Sequence, residues 1–225
     1  MRRRPQWAWL LAAACCTAAA AVDAGTNEAG PTRAARRIVS LSPHITENLF
    51  AIGAGSRVIG TVEYSNYPEG AKNIRQIGSY EKVDLEAVAA LQPDLVLAWE
   101  SGNSASHVAR LRAIGLNVVV TEARRIEDVA AGLERLGALA GAAAGARAVA
   151  AAFRERLSAL RARYAGQPTV RMFYEVWNQP LMTVGGSQII SSAIRLCGGE
   201  NVFAALKPMA AAVTVEAVLA ADPEA

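Results

Sequence analysis

Chemistry-bearing side chains are scarce in this chain. Its 225 residues hold only two histidines, His44 and His107, far apart in sequence. His44 follows the run "RIVSLSP", which places it in the first turn of a helix at the C-terminal end of a strand. That edge is where ligands bind in open α/β sheets. A histidine there can contact a ligand or merely cap and decorate the helix. Paired with Glu47 it could also serve acid–base work in a secreted enzyme. His107, beside Ser106 on a polar helix, reads as a surface residue. No GxSxG, CxxC or HExxH pattern occurs. Gly53-Ala54-Gly55 lies at a helix end, not at the helix start where phosphate cradles form. Two histidines cannot supply the cluster used to hold free zinc or manganese, so neither a metal site nor a catalytic residue is expected.

The aromatic residues carry more information. Tyr64 and Tyr67 fall in the loop after the second strand, and Tyr80 falls in "GSYEKVD". Trp99 closes the third strand and Trp177 closes a later one. Rings gathered at strand exits suit a cleft for a large, flat, partly apolar ligand. The plainer alternative is that some of them plug the interior. Glu86 and Glu216 form a second pattern, each in the first turn of a helix. The helix dipole favours a carboxylate there, and matched placement also suits a partner with two basic sites.

Behind these residues stands a repeated plan. "VDLEAVAALQPD" and "TVEAVLAADPEA" align at a constant offset of 130, Glu86 over Glu216 and Pro93 over Pro223. "HITENLFAIGAGSRVI" is echoed by the helix and double glycine of "SQIISSAIRLCGGENVF". Strands "RIVSL", "RVIGTV", "DLVLAW" and "LNVVVT" alternate with amphipathic helices, and Ser42 is placed to cap the first of these. Such alternation predicts an α/β fold with a mostly parallel sheet covered on both faces. Between Ile126 and Tyr164 strand formers are few, and helical spacing runs through Val149, Phe153, Leu157, Leu160 and Tyr164. A helix of about 23 residues, on the order of 35 Å, reads as a rigid strut between two similar lobes; an ordinary crossover helix is the alternative. Strands "VRMFYEV" and "LMTV" resume the alternation afterwards. The expected divisions are residues 37–125 for the first lobe, 126–166 for the helical segment and 167–225 for a second lobe. That lobe's repeat stops where a strand should begin, so it reads as incomplete.

Residues 1–24 have the order of a secretory signal peptide: a basic start, an apolar stretch and small residues before Gly25. The apolar run is shorter than the roughly 20 residues needed to span a bilayer. Lipid attachment at Cys15 or Cys16 is a lesser option, and residues 25–36 form a polar spacer. With the leader removed only Cys197 remains, so the fold must hold by its core. The formal charge of +3 falls to about +1 without Arg2, Arg3, Arg4 and Asp23. Nothing in it suggests nucleic acid as a partner.

"RIVSLSPHITENLFAIGAG", "YSNYP", "VDLEAVAALQPDLVLAW", "NQPLMTVGG", "LCGGENVF" and "VTVEAVLA" together resemble the periplasmic cobalamin-binding proteins of ABC importers. They run in the family's order from Arg37 to the end of the chain. The resemblance implies two α/β lobes braced by one long helix, with a corrinoid between them as transported ligand and no enzymatic step. It implies a monomer that works in the periplasm. Ferric siderophore and haem receptors share the fold and supply the alternative ligands. By the same resemblance Tyr64 and Trp99 fall on pocket aromatics, and Tyr80 falls where a member carries tryptophan. His44 falls on a small contact residue, and Met182 and Trp177 fall at or beside phenylalanine contacts. Glu86 and Glu216 fall on the carboxylates that dock onto the permease. Ala210 stands near a position where a member has a pocket tryptophan.

Overall fold

Apolar side chains at adjacent positions of a strand point to opposite faces of its sheet, so a continuous apolar run demands cover on both sides. The first half of the chain is built on that rule. The computed structural model describes residues 33–79 and 81–225; the leader and Tyr80 lie outside the described residues. The first lobe comprises β1 (Ile38–Ser40), α1 (Pro43–Ala51), β2 (Val58–Gly60), α2 (Leu85–Ala90), β3 (Leu95–Trp99), α3 (Ala105–Ala113) and β4 (Val118–Thr121). Its four strands are all parallel, in the order β2-β1-β3-β4. Ile38, Leu95 and Leu97 pack on one face with Ile45 and Leu49 of α1 and with Ile52 just after it. Val39, Val96 and Ala98 pack on the other with Val88, Val108 and Leu111.

Two helices follow, α4 (Asp128–Leu139) and α5 (Ala143–Tyr164), separated by a break at Gly141. They form an antiparallel pair closed tightly at its base, where a Cβ on Gly137 would lie 2.2 Å from that of Ala146. A bidentate Arg154–Glu134 pair, at 2.7 and 2.9 Å, and an Arg161–Glu127 pair tie the two together farther along. α5 has 22 residues, about 33 Å at the usual rise per residue. Near its start Gly145 abuts Ile52 of the first lobe, and near its end Arg161 and Tyr164 line a shared hollow with Ser192 and Arg195 of the second. The long helix therefore joins two lobes, as its length predicts, and is not a crossover within one sheet.

The second lobe holds β5 (Val170–Met172), β6 (Trp177–Asn178), β7 (Leu181–Val184), α6 (Ile189–Leu196), β8 (Gly199–Asn201), β9 (Ala210–Ala212) and α7 (Val215–Ala221). β5 and β8 pair in parallel, as β1 and β2 do. The remaining strands depart from the parallel expectation and form an antiparallel sheet, β6-β7-β9. The cause is local: Gln179 and Pro180 link β6 to β7, and two residues can close a hairpin but not a parallel crossover.

The repeat at offset 130 is realised in detail. Asp84 and Thr214 cap α2 and α7, accepting from Ala87 N–H at 3.0 Å and Ala217 N–H at 3.2 Å. Gln92 and Asp222 close them in left-handed backbone, with φ of 46° and 45°. Arg37 donates to the carbonyls of Leu91 and Gln92, and Arg171 donates to those of Ala221 and Asp222. Asp94 accepts from the Arg37 backbone N–H, and Glu224 accepts from that of Arg171. One arginine and one carboxylate thus clamp each helix end to the first strand of its lobe. The free carbonyls that end every helix receive the same guanidinium solution twice.

Candidate functional site

A cleft of about 680 Å³ opens between the lobes. The first lobe contributes the start of α1 (His44, Ile45, Asn48) and the exits of β3 and β4 (Trp99, Ser101, Thr121, Glu122), and one face of α4 continues that wall (Val129, Gly132, Arg135, Leu136). Val176, Val184, Gln188, Ile189, Met209 and Ala210 face them from the second lobe. The site lies at the carboxyl ends of parallel strands, where βα loops leave room for a ligand.

Its first-lobe wall is fastened from beneath. Thr46 bonds both Ser40 Oγ at 2.9 Å and Thr61 Oγ1 at 2.8 Å, which seats α1 on the sheet. Asn103, buried, accepts from Trp99 N–H at 2.7 Å and donates to the Leu41 carbonyl at 3.0 Å, locking the exits of β3 and β1 together. The Trp99 ring lies over Gly102, where a Cβ would come within 1.8 Å of it. Trp99 Nε1–H donates to Glu122 Oε1 at 3.2 Å, and Ser101 N–H donates to the other carboxylate oxygen at 2.9 Å. His44 stands edge-on to Trp99, with ring centroids 5.2 Å apart and planes at 83°. Rings so arranged attract through the edge-to-face quadrupole.

Ser42 is the residue before α1, as its sequence position predicts, but its hydroxyl does not cap the helix. It bonds His44 Nδ1 at 2.6 Å instead. Solvent reaches the imidazole, yet the concave wall crowds it. Desolvation pulls its pKa down, opposed by the negative charge of Glu122.

His44 and Trp99 are therefore brought together in the cleft wall. Tyr64, Trp177 and Met182 stand outside this lining. Trp177 is 61% exposed and pairs with Met182 across the β6–β7 hairpin, directly after the cleft residue Val176. Tyr64 is 73% exposed and holds a φ of 65°, a left-handed conformation that disfavours side chains with a Cβ. A ring displayed to solvent at a conformational cost makes Tyr64 a candidate ligand contact. Replacing Tyr64 by asparagine, which tolerates this region, is expected to raise unfolding stability by about 1 kcal/mol while weakening ligand capture. Chemical denaturation and ligand titration on the same variant check the two opposite signs. Glu86 and Glu216 are both exposed, each the second residue of its helix, α2 and α7. The backbone N–H of Glu216 and the Thr214 hydroxyl hold the Glu216 carboxyl below its ordinary pKa.

Glu122, Arg135, Gln188 and Met209 were not legible as site residues. Glu122 carried a usable signal, since it leaves β4 at the same strand edge that singles out Trp99. The others come from faces that only the approach of two lobes defines. Among the described residues no group of three His, Cys, Asp or Glu side chains could hold a metal ion.

Two α/β lobes, a connecting helix and a ring-bearing cleft define a ligand-capturing receptor. The family model described as periplasmic binding protein matches residues 38–225, and the chain belongs to that family. It is 37% identical to the vitamin B12-binding protein of Vibrio parahaemolyticus serotype O3:K6 over 188 residues, which are 84% of this chain and 68% of that one. The crystal structure of the periplasmic vitamin B12-binding protein BtuF of Vibrio cholerae superposes with a TM-score of 0.79 at 32% identity, covering 84% of this chain and 74% of that one. The periplasmic heme-binding protein RhuT from Roseiflexus sp. RS-1, in apo form, gives 0.72 at 27% identity, covering 84% and 74%.

Proposed function

We propose that this protein is a periplasmic receptor that captures cobalamin between its lobes and delivers it to an ABC importer. One observation carries the reading: the interlobe cleft, walled by His44 and Trp99 on one side and by Val184, Ile189 and Met209 on the other. An aromatic edge and aliphatic side chains bury the apolar surface of a corrin ring, at about 25 cal/mol per Å². Glu122, Arg135 and Gln188 stand among them to meet its polar substituents. Tyr64, Trp177 and Met182 are further ligand contacts in this reading, and Tyr80, outside the described residues, is assigned to the site from its place in the sequence alone. No covalent bond of the ligand is made or broken; water is excluded and the ligand is held. Residues 1–24 export the chain, and lobes at 37–125 and 167–225 act through the segment 126–166 that links them.

Glu86 and Glu216 orient the loaded receptor, a monomer, on the permease. Their equivalent positions on two repeats suit a partner carrying a basic site for each. A haem receptor is the second reading, favoured by the likeness to RhuT. Calorimetric titration with cyanocobalamin, haemin and a ferric siderophore separates them. Saturable one-to-one binding of cyanocobalamin alone is expected; heat from haemin and none from the corrinoid would move the assignment to haem.

A further inference from the structure

We infer that His44 is an axial ligand for the metal of the captured chelate, its Nε2 taking a coordination position that water otherwise fills. The inference rests on the cobalamin reading and adds a coordinate bond to a contact surface.

Several independent features of the wall prepare this ring for such a bond. The Ser42 hydroxyl stands where it could satisfy a free N–H of α1, a bond worth about 1 kcal/mol at helix starts. It is spent on His44 Nδ1 at 2.6 Å. In the tautomer whose Nδ1–H donates to Ser42 Oγ, the Nε2 lone pair is free, the arrangement in which metal-bound histidines are held by a second partner. Ser42 is fully buried, so this partner is fixed to the scaffold rather than to solvent. Edge contact with Trp99 at 5.2 Å limits rotation of the imidazole, and Trp99 is itself anchored to Glu122 at 3.2 Å. Nε2 has no protein partner among the described hydrogen bonds, and the ring is in the cleft lining. A histidine serving only as a helix decoration requires none of these supports.

The step balances without oxidant or reductant: the Nε2 lone pair enters the metal coordination sphere and one water molecule leaves. A chelate whose axial position is closed by a tightly held ligand cannot take it. Aquocobalamin and cyanocobalamin, which differ at that position alone, are therefore the probes. On mixing the protein with aquocobalamin, the visible absorption bands are expected to move to those of imidazole-ligated cobalamin. With cyanocobalamin they are expected to stay in place while binding is registered by tryptophan fluorescence. His44→Ala, at a solvent-accessible position, should abolish the band shift, and free imidazole should restore it. The affinity loss in that variant should be at least 10-fold greater for aquocobalamin than for cyanocobalamin. Aquocobalamin that binds both proteins within about 3-fold, retaining its water-ligated spectrum, would overturn the coordination. Failure of both corrinoids to bind the unaltered protein would overturn the cobalamin reading and the coordination with it.

Discussion

Trp99→Ala is expected to weaken cyanocobalamin binding by about 100-fold. The estimate comes from the indole's position. It closes β3 at the cleft wall, supports His44 edge-on and donates Nε1–H to Glu122. Truncating a central aromatic anchor costs 2 kcal/mol or more in well-packed sites, and each 1.4 kcal/mol is about tenfold in affinity. Trp99→Phe keeps a ring over Gly102 but loses the donor, so about a tenfold loss is expected, the low end for one hydrogen bond to a charged group. Part of the indole packs on the first-lobe core. Thermal melts of the alanine variant should therefore fall too, and affinity is to be read below the transition on folded protein. An affinity within threefold of the parent would show that the ligand does not rest on this wall.

Reversing both exposed glutamates, Glu86→Lys with Glu216→Lys, should abolish delivery while leaving capture intact. Both sit in first helical turns on separate repeats, away from the cleft lining. Close charge pairs across an interface are coupled by about 1.5–7 kcal/mol. Two reversals convert attraction to repulsion at both contacts, and a loss of at least 100-fold in affinity for the reconstituted importer is expected. Each single reversal should give about the square root of that loss, because distant sites add. Surface plasmon resonance against importer in nanodiscs measures it, with cyanocobalamin affinity as the control. Normal association by the double variant would remove these carboxylates from the docking surface.

Much of this architecture is legible in the chain itself. Unbroken apolar runs such as "DLVLAW" announce strands covered on both faces, and β3 is buried on both. The offset of 130 is legible because each lobe must solve the same helix-ending problem. Caps, acidic first turns and left-handed closures recur with the repeat. The length of α5 is set, beyond Gly145, by a run rich in alanine and arginine and therefore largely by local propensity. The β6–β7–β9 sheet was hidden behind the expectation of parallel strands, although the two-residue Gln179–Pro180 link contained the contrary signal.

Composition and periodicity alone thus determined two α/β lobes, a linking helix and aromatic residues at strand exits, since these follow from neighbours a few positions apart. Tertiary structure alone decided that Ser42 serves His44 rather than its helix, that Glu122 steadies Trp99, and that Met209 and Gln188 face them across the gap. Those relations are made by short-range hydrogen bonds and contacts. Their partners lie from two to more than a hundred residues apart and meet only when the chain folds, so no sequence period records them.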